Sequence, residues 1–276
     1  MGYGDEIMTT GFVKLAKQKY PEAQIIIGDK KSGYVYDHLI FNNNPKITKS
    51  NFIDPEKQQI WLESFPGKRP YIKSYDSKKI IWNDKFRAIK GEIYFDNNEL
   101  SFAKNELLKI RNKSSKKIIF IEPSPKKNTD FKKQSDNNIG KINKRWDKNK
   151  WQELIYELKN KFVFIQNFHE QSIKYHNCNP LKSSFREACS VLNLCDGFVG
   201  WEGGLSHAAA ALNKKAVVLF GGFISPKLTG YELHENIYVD IKGSPCGKRD
   251  YCNHCEKCRN IITVEEVKKR LNKIFL

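Results

Sequence analysis

Gly197-Phe-Val-Gly-Trp-Glu-Gly-Gly-Leu-Ser-His-Ala-Ala-Ala-Ala-Leu-Asn-Lys-Lys-Ala-Val-Val-Leu-Phe-Gly221 is the stretch whose reading decides the fold. An apolar run, Gly197 to Val199, meets a glycine-rich turn. A small-residue helix, Leu205 to Leu212, follows, and a second apolar run, Ala216 to Phe220, closes the unit. Strand, tight turn, helix and strand in this order make a βα unit of a parallel sheet. Backbone N–H groups of Gly203, Gly204 and Leu205 at such a helix start favour an anion, with His207 in the first turn and Glu202 just ahead of the glycines. The same spacing also suits an ordinary tight turn beneath a small-residue helix.

Working outward, the alternation persists. Ile118 to Ile121 and Phe162 to Ile165 read as strands, and Lys148 to Lys159 and Ser184 to Leu194 as helices. Ligands of such sheets bind at the carboxyl ends of the strands, so the loops after Ile121, Ile165, Val199 and Phe220 are the places to look for function. Thr263, followed by Glu266, has the pattern of a capping box opening a last helix, Val264 to Phe275. Towards the N-terminus, a helix spaced by Ile7, Met8, Phe12, Leu15 and Ala16 stops at Tyr20-Pro21 and precedes a short strand, Ala23 to Ile27. Residues 28–110 give only pieces: strands at Lys79 to Trp82 and Ile93 to Phe95, and a helix from Ser101 to Ile110. The polar stretch Arg111 to Lys117 reads as the break between halves, which places domains at 1–112 and 116–276. Lys126 to Lys144 is a long polar, Lys-rich loop of the kind that serves as a lid, a binding loop or disorder.

The chain has 276 residues, enough for one large or two modest domains. Lys and Arg number 48 against 31 Asp and Glu, a net charge of +17 that favours phosphates, anionic lipid or nucleic acid. Only 8 of the 48 are Arg, which counts against bidentate reading of base edges. Aromatic residues at 12% exclude wholesale disorder. No run approaches the roughly 18 apolar residues of a membrane span. Met1 to Glu6 lacks the basic and apolar regions of a signal peptide, so the expectation is a cytoplasmic protein.

Further groups carry chemistry. Gly2-Tyr-Gly-Asp-Glu6 opens the first helix, where Asp5 is either an N-cap or a general base displayed at a helix start. Lys141-Ile-Asn-Lys-Arg-Trp-Asp147 offers Lys144 and Arg145 to a diphosphate, or is a solvated basic loop. Cys246, Cys252, Cys255 and Cys258, with His254 among them, have metal-ligand density and suit a structural zinc. Free thiols and iron–sulfur ligation are the alternatives. Cys178, Cys189 and Cys195 are scattered, and packing accounts for them.

Three matches in chain order resemble the family 9 glycosyltransferases, the heptosyltransferase-like enzymes of GT-B fold. They are Gly2-x-Gly-Asp5 at a helix start, Lys144-x-Trp146 at a helix entry, and Glu202-Gly-Gly-Leu-Ser-His207 where the family has an Asp-Thr-Gly-Leu-Ser-His-like signature. Pro245-Cys-x-Lys-Arg-x-x-Cys252, ending in Ile262-Thr-Val-Glu-Glu-Val267, resembles the cysteine-bearing tail of many members. The resemblance implies two Rossmann-like domains facing a cleft, the N-terminal acceptor-side one reduced and the C-terminal one binding a nucleotide-sugar. It implies an inverting transferase that moves a sugar, a heptose among the options, to a glycan or lipopolysaccharide-type glycolipid. Asp5 would be the catalytic base. Lys144, Glu202, Gly203, Gly204, Leu205, Ser206 and His207 would bind the donor, and no cofactor or catalytic metal would be required. Work on a glycolipid would place the protein against an anionic inner membrane face. The alternatives are a GT-B protein that binds nucleotide-sugar without transfer and a basic, metal-stabilised nucleic-acid-binding protein.

Overall fold

The computed structural model describes residues 2–123, 143–169 and 172–276, so the Lys-rich loop expected from Lys126 lies, up to residue 142, outside the described residues. The first half opens with α1 (Tyr3–Lys19), followed by β1 (Gln24–Asp29), β2 (Tyr34–Val35) and β3 (Gln59–Leu62). β1 lies centrally, parallel to β3 and antiparallel to β2. A hairpin, β4 (Ile72–Asp76) and β5 (Lys79–Trp82), stands apart from this small sheet. Then α2 (Asn97–Arg111) leads into the second half.

The second half runs β6 (Lys117–Glu122), α3 (Lys148–Leu158), β7 (Phe162–Asn167), β8 (Cys178–Leu181), α4 (Phe185–Leu194), β9 (Gly197–Trp201), α5 (Gly204–Ala211), β10 (Ala216–Gly221), the short α6 (Pro226–Thr229), β11 (His234–Tyr238), α7 (Asn253–Ile261) and α8 (Val264–Phe275). Six parallel strands pair in the order β11-β10-β9-β6-β7-β8. Numbered within this half, that is the 3-2-1-4-5-6 order of a dinucleotide-binding sheet, which reverses between β6 and β9. Helices cover both faces, so the central strands carry unbroken apolar runs, Ile118–Ile121 in β6 and Ala216–Phe220 in β10. Ile118 and Phe120 pack towards α4 and α5, whereas Ile119 and Ile121 pack towards α3 and α8.

Two expectations are corrected. Ile93 to Phe95 is no strand: its segment crosses α1, where Gly91 lets the backbone approach so closely that a Cβ there would lie 2.1 Å from the Ile7 carbonyl oxygen. Polar bonds in this segment run to side chains, from Glu92 N–H to Thr10 Oγ1 (2.8 Å) and from Arg186 to the Tyr94 carbonyl (2.6 Å). The expected capping box of the last helix is half formed. Thr263 Oγ1 accepts from Glu266 N–H at 3.1 Å, and the Glu266 carboxylate lies instead 3.7 Å from Arg270. β8, β11 and α7 were not read from the sequence. Among the described residues, no helix is long and apolar enough to cross a membrane.

α2 packs along α4, and their contact is pinned by Arg186, 6% exposed. Its guanidinium donates to both Glu99 oxygens (2.5 and 2.7 Å) and to the carbonyls of Leu39 and Tyr94. Cutting such a buried pair leaves a desolvated carboxylate without its cation. Arg186→Met is therefore expected to lower unfolding free energy by about 3–5 kcal/mol in urea titration, and a loss below about 1 kcal/mol would refute this account of the α2–α4 joint.

Candidate active site

Where the strand order reverses, the carboxyl ends of β6 and β9 diverge and leave a crevice. β6 ends at Glu122, paired opposite Gly200, and β9 ends at Trp201, from which Glu202-Gly203 turns into α5. The amino end of α1 meets the amino end of α5 over this crevice. Gly4 is what permits the approach, since a Cβ there would lie 2.5 Å from His207 Cδ2. Tyr3 stacks on Phe185 beside it at 3.9 Å between ring centres. The resulting cleft, about 830 Å³, is lined by Asp5, Arg69 and Tyr71 from the first half and by Glu122, Lys144 and Glu202 from the second.

Asp5 is not the N-cap of α1: Gly2 holds that position, and Asp5, three residues on, reaches back to it with its carboxylate. Its Oδ2 accepts from the Gly2 N–H at 2.8 Å, as a helix-start carboxylate does, and lies 3.5 Å from Arg69 Nε. Its Oδ1, facing the cleft, accepts from the Tyr71 hydroxyl at 2.6 Å. Burial and then the Asp5 charge push the Tyr71 hydroxyl well above its usual range, so it remains a donor. Glu6 turns inward, accepts from Tyr36 at 2.8 Å, and is pushed up by burial to about 7.

Across the cleft, Lys144 Nζ pairs with the Glu202 carboxylate and lies 5.2 Å over the Phe223 ring. His207, 2% exposed, sets Nε2 3.4 Å from the other Glu202 oxygen and Nδ1 2.8 Å from the Tyr231 hydroxyl. Burial acts to raise the Glu202 carboxyl, but Lys144 and His207 outweigh it and hold the group well below the usual carboxylate range. Ser206 Oγ accepts from the Gly203 N–H at 3.0 Å and donates to the Gly203 carbonyl at 2.9 Å. The first-turn N–H groups of Gly204 and Leu205 lack an intrahelical acceptor by geometry.

Of the expected donor-side residues, Lys144, Glu202, Gly203, Gly204, Leu205 and His207 line the cleft opposite Asp5, whereas Ser206 is turned back onto Gly203 and does not. Arg145 is not among the residues lining the cleft. Sequence reading missed Glu122, Arg69 and Tyr71. A carboxylate closing the strand that leads into a switch-point loop was the available signal for Glu122, and the irregular segment before β4 offered none for the other two.

Cys246, Cys252, Cys255 and Cys258 gather beyond the carboxyl end of β10, where Cys246 N–H donates to the Gly222 carbonyl at 2.9 Å. Sγ atoms of Cys246, Cys252 and Cys255 and a ring nitrogen of His254 all fall within 4.8 Å of one another. Cys258 stands outside that foursome, 3.8 Å from His254 Nδ1. Cys246 and Cys255 approach to 2.8 Å, and the hydrogen bond from Cys255 pushes the Cys246 thiol down to about 5 while Cys255 moves up. Burial raises the thiols of Cys189 and Cys195 well above the usual range, as packed cysteines require.

The glycosyltransferase family 9 (heptosyltransferase) model matches residues 96–255. A family 9 glycosyl transferase from Veillonella parvula DSM 2008 superposes with a TM-score of 0.65 at 13% identity, covering 100% of this chain and 94% of that one. The E. coli ADP-heptose lps heptosyltransferase II gives 0.47 at 18% identity, over 75% of this chain and 58% of its own. A comparison with curated proteins returns no match. The Veillonella likeness shows a shared fold, two α/β halves facing a cleft in the GT-B manner with the first half reduced to a three-stranded sheet. With the family's model spanning more than half of its residues, the chain belongs to glycosyltransferase family 9.

Proposed function

We propose that this glycosyltransferase transfers a sugar with inversion from a nucleoside-diphosphate donor to a hydroxyl of a glycan or glycolipid. The observation that carries the reading is the convergence of Asp5 and the Lys144–Glu202 pair, from opposite halves, on one cleft. Direct displacement needs a base on the acceptor and positive groups on the leaving diphosphate, and no covalent nucleophile. Asp5 takes the proton of the attacking hydroxyl. Lys144 and the Gly204 and Leu205 N–H groups receive the charge that develops on the departing diphosphate, so positive charge is supplied by the chain itself. When Lys144 turns to the diphosphate, the Glu202 carboxylate is released to accept from a sugar or ribose hydroxyl, and His207 holds it in place. A heptose donor and a lipopolysaccharide-type acceptor at an anionic membrane face are the specific case this reading favours. The division at 112–116 belongs to it, residues 1–112 offering the acceptor side and 116–276 the donor side.

A second reading, binding of a nucleotide-sugar without transfer, draws on the three groups that already surround the Asp5 carboxylate. Turnover separates the two. Asp5→Asn is expected to lower kcat by about 10²–10⁴ while nucleoside-diphosphate affinity stays within about twofold. Lys144→Ala is expected to weaken that affinity by roughly ten- to a hundredfold in calorimetry. Full activity in Asp5→Asn overturns the base assignment, and unchanged affinity in Lys144→Ala overturns the donor site.

We also infer a structural metal held by Cys246, Cys252, Cys255 and His254. The donor set fits in kind, three thiols and an imidazole being a zinc set; the Cys252 and Cys246 sulfurs, 3.9 Å apart, already match a tetrahedral edge of about 3.8 Å for Zn–S bonds of about 2.3 Å, and the Cys246 and Cys255 sulfurs, 2.8 Å apart, would open by about 1 Å to share the ion. Protein purified without chelator should carry about one metal per chain. Cys246→Ser should lose it and melt at lower temperature, whereas Cys258→Ser should retain it. Equal metal loss in both variants restores Cys258 as a ligand, and metal-free protein with an unchanged melting temperature ends the assignment.

A further inference from the structure

Among the described residues, Glu122 is the one cleft carboxyl with an oxygen left without a hydrogen-bond partner. It closes β6 at the strand-order reversal and lines the cleft, and its Oε2 is buried without a hydrogen-bond partner among the described residues. A methyl group added to Gly203, the residue capping α5, would sit 3.9 Å from that oxygen. The groups facing it are Glu202 from the turn before α5, Lys144 from the segment before α3 and Cys189 from α4. Lys144 is already committed to Glu202. An ionised Glu122 would therefore add a buried negative charge with no cation to match it, in a cleft that the preceding reading assigns to an anion.

We propose that Glu122 binds the donor as an uncharged carboxylic acid, donating its hydrogen to a phosphate oxygen of the nucleoside diphosphate at the start of α5. The inference rests on the donor site proposed above and deepens it. An unpaired, buried carboxyl gains a strong acceptor when the diphosphate arrives, and the diphosphate gains a donor where a carboxylate would repel it. Burial, with the Glu202 charge adding to it, pushes the group up to about 8, so the acid form prevails at neutral pH. The sign follows: ligand binding favours the protonated form, so affinity is full below that value and falls as pH rises through it.

Calorimetry with ADP, GDP, CDP and UDP, using the tightest of the four between pH 7 and 9.5, tests this. Wild-type affinity should fall by about tenfold per pH unit above 8, with uptake of up to one proton per ligand at pH 9, read from buffers of different ionisation enthalpy. Glu122→Gln keeps a hydrogen-bond donor at the same place and should lose both the alkaline decline and the proton uptake. Glu122→Ala, lacking the donor, should bind about tenfold more weakly at pH 7. A Glu122→Gln profile that runs parallel to wild type, or a wild-type affinity flat to pH 9.5, overturns the role of Glu122 and leaves the donor site standing. Failure of wild type to bind any of the four at any pH overturns the donor site and this inference with it.

Discussion

The contact of Gly4 with the His207 ring governs the arrangement of the cleft, because it sets two helix amino ends, some two hundred residues apart in the chain, against one another. Each end carries a partial positive charge, and two such ends side by side repel unless anions lie between them. Asp5 and Glu202 supply those anions from the chain itself, one in the first turn of α1 and the other immediately before α5. Any side chain at position 4 would push the helices apart and separate the two carboxylates. The geometry of the cleft thus depends on a packing contact between two regular helices.

Charge in the cleft is paired before any ligand arrives. Arg69 lies against Asp5 and Lys144 against Glu202, so a chain with a net charge of +17 presents a site that is close to balanced. A simple phosphate must pull Lys144 from Glu202 and leave a desolvated carboxylate behind, which costs about as much as the new contact returns. A nucleotide-sugar can satisfy Lys144 with its diphosphate and Glu202 with a hydroxyl together. In the proposed reading, pairing of this kind selects for a ligand with both functions and makes bulk charge a weak guide to what binds.

What the sequence made legible follows from burial. β6, β9 and β10 lie inside the sheet with both faces covered and stand out as apolar runs, and the helix start between β9 and β10 is marked by its glycines. The missed strands, β8 and β11, are the two edges of the same sheet. Edges tolerate polar residues and even Pro180, so Cys178-Asn-Pro-Leu181 and His234-Glu-Asn-Ile-Tyr238 lack the signal. In the first half the buried β1 was legible as an apolar run, whereas β2, β3 and β4, two to five residues long with half-exposed or exposed side chains, leave no periodicity to read. For the site, residues within a helix start could be found because local geometry marks them. Glu122, Arg69 and Tyr71 matter through contacts that only the fold creates.

The two halves are joined along a line of backbone and side-chain bonds, and that line passes through the cysteine loop. Ile80 N–H donates to the Gly247 carbonyl at 2.9 Å and Arg249 N–H to the Lys78 carbonyl at 2.8 Å, so the loop extends the β4–β5 hairpin as a further edge. Ala88 N–H bonds to the Leu228 carbonyl, and Arg186 closes the line at α2. From the other side, Asn143 Nδ2 donates to the carbonyls of Lys248 (2.9 Å) and Asp250 (2.6 Å), one residue before Lys144. The loop is thus held by its cysteines below, carries the hairpin on one flank, and anchors the lysine segment on the other. Irregular backbone of this length orders only if something offsets its conformational entropy, and the cluster of Cys246, Cys252, Cys255 and His254 is the group placed to do so. The segment that carries Lys144 to Glu202 is therefore tied through Asn143 to the cysteine loop as well as to the β9–α5 turn it touches.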